Sequence, residues 1–342
     1  MAQGVLGRMA IGLVACLLGA ATAQAQSVES FYKGRTIEML VGSEVGSGYD
    51  AYARLVAAHI GKHIPGRPNI IVKQMVGAGG IIATNHLAKI APKDGSVIAQ
   101  VQNTVPFQPL ITPGGEQFDA TKLGYIGSAN SEVALAFTWH LSATKTLSDL
   151  RQRETIMAGV IGSISANYAY ALSDLTGAKI KLITGYAGAG QSMLALERGE
   201  IEGYPALFWS TFKTTKSEWL SQKKVNLLVQ LALKKHPELP DVPLIFDFLE
   251  KPEDRAAAEL LLAPQLAGRP FLAPPGIPAE RLAALRQAFE AAMRDPDLIA
   301  EAARRNMEVQ FISGEEIEQV VARAYASSPE VIARVRKMGE AR

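Results

Sequence analysis

The sequence predicts an α/β protein built as two layered units. Short apolar runs rich in β-branched residues alternate with stretches of helical periodicity, which is the pattern of strands and helices packed in layers. This alternation begins near Thr36 and restarts near Thr155, whereas the chain from Pro278 onward has helical periodicity alone. A chain of 342 residues is long enough for about two domains.

The first unit is predicted to alternate strands with helices. Its strands are apolar runs bounded by turn residues, at Thr36–Val41, Asn69–Gln74 and Ser96–Gln102. Two helices, at Asp50–Ile60 and Gly80–Ile90, each follow a strand after a glycine-containing turn.

The second unit repeats this order before a helical tail. Its predicted strands and helices are Thr155–Val160, Ser165–Leu175, Ile180–Ile183, Ser192–Arg198 and Val225–Gln230. Gly177 and Gly199 follow the two helices, as left-handed residues that end helices do. The proline-rich segment Leu233–Pro243 is predicted to be a loop. The tail is predicted to hold four helices, most of which begin at or near a proline: Pro278–Arg294, Pro296–Asn306, Gly314–Ala326 and Pro329–Met338.

Residues 1–25 are predicted to be a signal peptide. Met9–Ala21 is an apolar run too short to span a bilayer, and Ala23-Gln24-Ala25 matches a signal-peptidase site, so cleavage is expected before Gln26. Cys16 lies in a sequence that also resembles a bacterial lipobox, and cleavage there would anchor the protein to lipid. Both alternatives export the protein, so a periplasmic location is expected.

Composition excludes several functional classes. The chain is 48% hydrophobic, has 35 basic and 33 acidic residues, and has Cys16 as its single cysteine. Disulfide scaffolds, thiolate zinc sites and cysteine nucleophiles need thiols that the mature chain would lack. The near-neutral charge argues against a nucleic-acid partner, which requires a concentrated basic face.

Four glycine-rich turns between predicted strands and helices are the candidate binding elements. They are Gly46-Ser47-Gly48-Tyr49-Asp50, Gly77-Ala78-Gly79-Gly80, Gly162-Ser163-Ile164-Ser165 and Gly185-Tyr186-Ala187-Gly188-Ala189-Gly190. A helix N-terminus offers free N–H donors and about half a positive charge, and glycine lets a ligand approach the backbone closely. In open α/β sheets such turns lie at the carboxyl ends of the strands, where ligands bind. The set predicts a site for a carboxylate or phosphate, although one such turn alone is more often a plain connection.

Nucleotide binding, catalysis and metal binding find little support in the sequence. Neither G-x-G-x-x-G nor the phosphate-binding G-x-x-x-x-G-K-[ST] is completed, and G-x-S-x-G is absent. His59 and His63 are four residues apart, but no nearby carboxylate or H-E-x-x-H motif completes a zinc site, so both are interpreted as helix-end or partly buried residues. Asp50 is interpreted as a helix cap, because its charge would repel an anion. No cofactor, metal ligand or catalytic residue is predicted.

Six short motifs occur in a defined order along the chain. They are G-S-G-Y-D-x-Y-A-R (46–54), V-G-A-G-G (76–80), P-K-D-G (92–95), T-G-Y-A-G (184–188), E-R-G-E (197–200) and R-P-F-L-A-P-P-G-I-P (269–278). This order, over nearly the whole mature chain, resembles the tripartite tricarboxylate transporter receptor family, the Bug-type periplasmic solute-binding proteins. Ser47 and Val76 stand where that family usually has glycine and proline, which indicates a divergent branch.

The resemblance implies a type II periplasmic-binding-protein fold, in which two α/β lobes enclose a ligand cleft. Lobe one would be residues 26–127 plus 268–342, and lobe two residues 128–267. The positions implied to bind a carboxylate are Gly46, Ser47, Gly48, Tyr49, Gly77, Ala78 and Gly79 in lobe one, and Ser163, Ser165, Tyr186, Ala187 and Gly188 in lobe two. The two tyrosines lie inside glycine turns, so they are expected to wall the pocket and to favour an aromatic or bulkier acid.

The functional prediction is therefore an extracytoplasmic receptor, monomeric and without catalysis. It would capture a small carboxylic acid by lobe closure and deliver it to the integral-membrane subunits of a transporter, or to a sensor. Two alternatives remain open. One is an exported α/β enzyme such as a hydrolase, and the other is an orphan binding or sensor protein that retains the fold.

Overall fold

The computed structural model describes residues 27–111, 113–160, 163–186 and 188–339. The predicted signal peptide at 1–25, with Cys16, and residues Gln26, Gly162 and Ala187 lie outside the described residues. Within the described ranges the protein is α/β, as predicted, with two sheets flanked by helices. No helix in these ranges is both long enough and apolar enough to cross a membrane.

The first sheet combines the start of the chain with its end. Its parallel strands are β1 (Thr36–Val41), β2 (Asn69–Gln74) and β3 (Val97–Gln100), with β1 between the other two. Three further strands extend this sheet: β4 (Gly124–Ser128), β10 (Pro270–Ala273) and β11 (Ile312–Ser313). β10 pairs antiparallel with both β3 and β4, and β11 pairs antiparallel with β4. The resulting order is β11-β4-β10-β3-β1-β2. The carboxyl ends of β1, β2 and β3 consequently meet at one edge.

The second sheet uses the middle of the chain. It consists of β5 (Ala134–Trp139), β6 (Thr155–Ala158), β7 (Ile180–Ile183), β8 (Gly203–Phe208) and β9 (Val225–Leu231), in the order β7-β6-β8-β5-β9. β6 is parallel to β7 and β8, whereas β5 is antiparallel to β8 and β9.

Helices cover both sheets. In chain order they are α1 (Val28–Tyr32), α2 (Gly48–Ile60), α3 (Ile81–Lys89), α4 (Gln108–Ile111), α5 (Leu147–Gln152), α6 (Ile164–Thr176), α7 (Ala189–Glu197), α8 (Trp209–Thr215), α9 (Ser217–Ser221), α10 (Pro252–Leu266), α11 (Ala279–Met293), α12 (Pro296–Arg304), α13 (Gly314–Tyr325) and α14 (Pro329–Gly339). α2 buries Tyr52, Leu55 and Val56 against the first sheet and the C-terminal helices. The helical tail predicted from Pro278 is confirmed as α11 to α14.

Two chain segments connect the sheets, and they are hydrogen-bonded to each other. Gly268 donates its N–H to the carbonyl of Asn130 at 3.0 Å, and Glu132 donates to the carbonyl of Gln265 at 2.8 Å. The predicted boundaries between lobe one and lobe two fall within or next to these two connecting segments. The division of the chain into two lobes stays a prediction. α14 adds a further link, since Arg334 lies 2.8 Å from Asp174 of α6 and 2.7 Å from Asp254 of α10.

The strands and helices predicted from the sequence are all present, with ends that differ by at most three residues. The predicted loop Leu233–Pro243 has no helix or strand. The prediction missed five strands, β4, β5, β8, β10 and β11, and with them every antiparallel pairing of the fold. It also missed six helices, α1, α4, α5, α8, α9 and α10, the last of which contains Pro264 inside the helix.

Candidate functional site

The first glycine turn leads from β1 into α2. Ser47 is the helix N-cap, because its hydroxyl accepts a hydrogen bond from the N–H of Asp50 at 3.2 Å. That hydroxyl donates in turn to Ser43 at 2.9 Å. The first N–H groups of a helix have no intrahelical acceptor, so those of Gly48 and Tyr49 are suited to an anion. Gly46 and Gly48 are exposed, and the backbone here is accessible from solvent.

Asp50 holds this turn to the sheet. The residue is 2% exposed and its carboxylate accepts hydrogen bonds from Gly46 N–H at 2.9 Å and Gln74 Nε2 at 2.6 Å. Arg54 Nε lies 3.0 Å from the same carboxylate. Burial would raise the pKa of Asp50, but the hydrogen bonds from Arg54, Gly46 and Gln74 outweigh it and lower that pKa below its ordinary value. Asp50 therefore has a structural role, but the prediction that it caps the helix was wrong, because the N-cap is Ser47 and Asp50 lies in the first turn.

The second turn, between β2 and α3, has a backbone that favours glycine. Gly77, Ala78, Gly79 and Gly80 all have positive φ, at 145°, 45°, 62° and 97°. Ala78 and Gly79 are exposed. A Cβ on Gly42, which follows β1 and precedes the first turn, would lie 2.8 Å from Gly80 Cα, so the end of β1 packs directly against the second turn.

Gly77→Ala is expected to destabilise the protein by about 1–3 kcal/mol, because residues other than glycine rarely adopt this conformation. The added Cβ would also lie 2.3 Å from Ile82 Cδ1. Gly188→Ala is the matched control, since its φ is 177° and the space around its Cβ is open. Urea denaturation of both variants measures the effect. Equal unfolding free energies would contradict the strained geometry of the second turn.

The third and fourth turns start from neighbouring parallel strands of the second sheet. Gly159 donates its N–H to the carbonyl of Ile183 at 2.9 Å, which places both turns at one edge. Ser163 is the N-cap of α6, and its hydroxyl lies 2.7 Å from that of Ser165. Ser165 is buried and its hydroxyl accepts a hydrogen bond from Val160 N–H at 3.0 Å. Both serines therefore organise the helix start, and Ser163 is the more accessible of the two.

The two turn tyrosines are held differently. Tyr49 donates its hydroxyl hydrogen to Asn103 Oδ1 at 3.0 Å, and burial raises its pKa, so the hydroxyl stays protonated. Tyr186 is half-buried against the core of the second sheet, next to Gly188, which is the N-cap of α7. No ring contact between the two tyrosines occurs in the described ranges. A shared role in one pocket stays a prediction.

An ion pair near the first turn escaped the sequence analysis. Arg269 Nη2 lies 3.1 Å from Glu132 Oε1, and the guanidinium stacks 4.5 Å from the ring centre of Tyr49. Ser210, at the start of α8, donates its hydroxyl to Glu132 at 2.9 Å. Burial raises the pKa of Glu132, and the charge of Arg269 and the hydrogen bond from Ser210 oppose that shift. These three residues come from distant parts of the sequence, and no local motif could have grouped them.

A cavity of about 730 Å³ lies between α2 of the first sheet and α8 of the second. Gly48 and Arg269 line it on one side, and Ser210 and Lys213 on the other. Of the predicted site residues that the structure describes, Gly48 alone lines this cavity. A cavity of similar volume, about 720 Å³, lies between α10 and α13, and no described residue of the four turns lines it.

The histidines that could have suggested a metal site are paired with carboxylates. His59 Nε2 lies 2.8 Å from Glu301, and His63 Nε2 lies 2.8 Å from Asp295. His236, which the sequence placed in a loop, is buried 2.7 Å from Glu308. Across the described ranges no group of three or more His, Cys, Asp or Glu side chains is arranged to hold a metal ion.

Comparison with known proteins places this architecture in a family. The family model described as tripartite tricarboxylate transporter family receptor matches residues 52–336. A Cupriavidus necator protein, named UPF0065 protein in gbd 5'region, is 24% identical over 341 residues, which cover 96% of this chain and 95% of that protein.

Solved structures give the same fold. A TctC solute-binding protein from Polaromonas, crystallised without ligand, has a TM-score of 0.73 at 23% identity, covering 90% of this chain and 99% of that one. MatC from Rhodopseudomonas palustris with bound malate has a TM-score of 0.55 at 20% identity, with 90% and 99% coverage. Another R. palustris protein, solved with adipate, has a TM-score of 0.57 at 19% identity, with 90% and 97% coverage.

Proposed function

The chain belongs to the tripartite tricarboxylate transporter receptor family, a family of solute-binding proteins, and from that membership we propose that it captures a small organic acid. The proposed ligand contacts are those of the glycine turns: Gly46, Ser47, Gly48, Tyr49, Gly77, Ala78 and Gly79 from the first sheet, and Ser163, Ser165, Tyr186, Ala187 and Gly188 from the second.

The observation that carries this proposal is that two exposed glycine turns follow the neighbouring parallel strands β1 and β2 at one edge of the sheet. The start of α2 directs free N–H groups out of the sheet edge, and the backbone at Gly77–Gly80 has positive φ throughout. Both are held rigid, the first by Ser47 and Asp50 and the second by the packing of Gly42 against Gly80. Preorganised N–H donors bind a carboxylate without a net change in structure, and this favours an acid ligand.

The proposal extends to location and partners. The predicted signal peptide would export the chain to the periplasm, where it would deliver its ligand to integral-membrane transporter subunits as a monomer. Two structurally similar proteins were solved with malate and adipate, and these ligands support a carboxylic acid here. Residues 26–127 plus 268–342 and residues 128–267 would close on the ligand as two lobes about the crossing segments.

Native mass spectrometry of protein purified from its own periplasm, followed by a thermal-shift screen of mono-, di- and aromatic carboxylates, tests the proposal. A co-purifying acid, or a melting-temperature rise confined to a few acids, is expected. Ligand at about 100 times its dissociation constant adds about 2.7 kcal/mol to the stability. No shift with any acid would contradict the proposal, and turnover of a bound compound would favour the exported-enzyme alternative.

Tyr186→Ala is expected to weaken acid binding about tenfold while the protein stays folded, because the ring is proposed to wall the pocket. The side chain is only half-buried against the second sheet. Tyr186→Phe keeps the ring and serves as the control, for which unchanged affinity is expected. Calorimetric titration of an acid found in the screen measures both. Unaltered affinity of the alanine variant would show that this ring is not part of the pocket.

A further inference from the structure

The cavity between α2 and α8 indicates which kind of acid this protein binds. Its volume of about 730 Å³ falls within the range of small-molecule sites, about 300–1,000 Å³. It is lined by residues of both sheets, so closure of the proposed lobes would enclose its contents. The inference rests on the proposed function, which it makes more specific.

Arg269 gives this cavity a cation with spare hydrogen-bonding capacity. Its Nη1 donates to the carbonyl of Gly268 at 2.7 Å and its Nη2 contacts Glu132, but its buried Nε–H has no partner within the part of the chain described. Unpartnered buried donors are rare in folded proteins, because each carries the cost of its lost hydration.

The position of Arg269 is fixed. The guanidinium carbon lies over the rings of Tyr49 and Tyr52, 4.5 Å and 5.2 Å from their centres. Both ring hydroxyls are anchored, that of Tyr49 to Asn103 and that of Tyr52 to the carbonyl of Glu308 at 2.7 Å. Such a rigid guanidinium loses little entropy when it binds a carboxylate.

Arg269 also lies against the N-terminus of α2. A Cβ on Gly48 would be 3.5 Å from Arg269 Nη2, so no side chain separates the guanidinium from the first turn of the helix. A cation at the positive end of a helix dipole is unfavourable unless an anion lies beside both. The carboxylate of Glu132, in contact with the guanidinium, supplies part of the negative charge that this arrangement needs. A ligand carboxylate bound in the cavity would supply the rest.

The remaining charges of the cavity leave room for one carboxylate only. Lys213 lies 2.9 Å from Glu238 and 3.1 Å from Glu308, and Arg305 pairs with Glu301. Burial would raise the pKa of Glu308, but its contacts with His236 and Lys213 lower it, so this carboxylate is ionised. A second ligand carboxylate would meet the charges of Glu238 and Glu308.

The opposite wall is suited to hydroxyl groups. Ser210, Thr211, Thr214 and Ser217 line the cavity along α8 and the start of α9, and Asn306 faces it from the other side. Met307 and the ring of Tyr52 supply apolar surface to the same cavity. Ser210 and Thr214 already donate their hydroxyl hydrogens, to Glu132 and to backbone carbonyls of α8, so their oxygens remain as acceptors for ligand hydroxyls.

We propose that the α2–α8 cavity binds a monocarboxylic acid with several hydroxyl groups, as in a sugar acid. Its carboxylate contacts Arg269 and the first turn of α2 from within the cavity, and its hydroxyls contact α8. This class excludes di- and tricarboxylates, because a second ligand carboxylate would be repelled by Glu238 and Glu308.

Four six-carbon probes test this class by calorimetric titration: D-gluconate, the neutral polyol D-glucitol, the hydroxyl-free hexanoate and the dicarboxylate D-glucarate. Gluconate is expected to bind about tenfold or more tighter than each of the others, the difference expected for one charge-assisted contact. Equal or tighter binding of hexanoate or glucarate overturns the proposal. If other acids of the thermal-shift screen bind and gluconate does not, the inference fails and the acid-receptor function stands. If no acid binds, both fail.

Variants test the role of Arg269 in the same titration. The double variant Arg269→Met, Glu132→Gln removes both charges, so that no buried carboxylate is left unpaired. It is expected to lose the preference for gluconate over glucitol, about tenfold or more, while Glu132→Gln alone retains it. Arg304→Met removes one charge from an exposed position on α12 and is the control. A double variant that still prefers gluconate overturns the assignment of Arg269.

Discussion

Gly79→Asp is expected to abolish the binding of small organic acids. Gly79 is exposed in the second turn, which follows β2, and the ligand carboxylate is proposed to bind at the sheet edge where the parallel neighbours β1 and β2 end. A like charge within about 4 Å costs about 1–4 kcal/mol, depending on the local dielectric, which corresponds to about a tenfold to thousandfold loss of affinity. The measurement is calorimetric titration with an acid from the thermal-shift screen.

The control for this variant is Gly79→Asn, which has almost the same shape and no charge. Gly79 has φ of 62°, and Asp and Asn are the side chains that tolerate this conformation best. The nearest heavy atom to a Cβ there is Gln102 Oε1, at 3.4 Å, so both side chains can be accommodated. The asparagine variant should keep most of the affinity. Equal losses in both variants would mean that shape, not charge, disrupts the turn.

The parts of the fold that the sequence predicted are those set by local chemistry. Gly177 ends α6 with φ of 72°, as a left-handed C-terminal residue does, and Ser47 begins α2 as its N-cap. The parallel strands β1, β2 and β3 are apolar runs bounded by turn residues. In each case a few adjacent residues carry the signal, so no knowledge of distant contacts was needed.

The missed strands depend on contacts across the chain. β4 contains Gly124 and Gly127, which favour a loop when the sequence is considered alone. In the fold, a Cβ on Gly127 would lie 2.7 Å from the ring of Phe289, so glycine there allows α11 to pack closely on the sheet. β10 begins at Pro270, and β11 has only two residues. Neither has a periodic pattern of its own.

The residues of the candidate site also fall into a group that local sequence predicted and a group that depends on distant contacts. Its glycine turns were found because strand, glycine and helix are adjacent in sequence. The Arg269–Glu132 pair was not, because the partners are brought together by the two crossing segments. The unpartnered Nε of Arg269 is likewise a property of packing. Ligand class is thus the aspect of function that needed the three-dimensional structure most.

Asp50→Ala is expected to destabilise the protein by about 1–3 kcal/mol, because it removes a buried carboxylate that accepts several hydrogen bonds. Most of this loss is assigned to Gly46 N–H and Gln74 Nε2, which donate to the buried Asp50 carboxylate at 2.9 Å and 2.6 Å. Arg54 contributes less, since its side chain is 48% exposed and its charge is screened by solvent. Acid binding should weaken too, as the first turn would no longer be held to β2. Urea denaturation and calorimetric titration measure the two effects.

The pH dependence of this variant identifies the carboxylate as the cause. The pKa of Asp50 is lowered in the folded protein, so its stabilising contribution is complete above the ordinary carboxyl pKa and is lost as the pH falls through the folded pKa. The stability difference between the wild type and Asp50→Asn should therefore shrink from about pH 5 downward. Asp149 accepts similar hydrogen bonds from Lys145 and Thr146 at the exposed start of α5, and Asp149→Asn is the control. It should cost much less stability and leave acid binding unchanged, because α5 contributes none of the glycine turns. A pH-independent difference for Asp50→Asn would mean that the side chain acts through its shape rather than its charge.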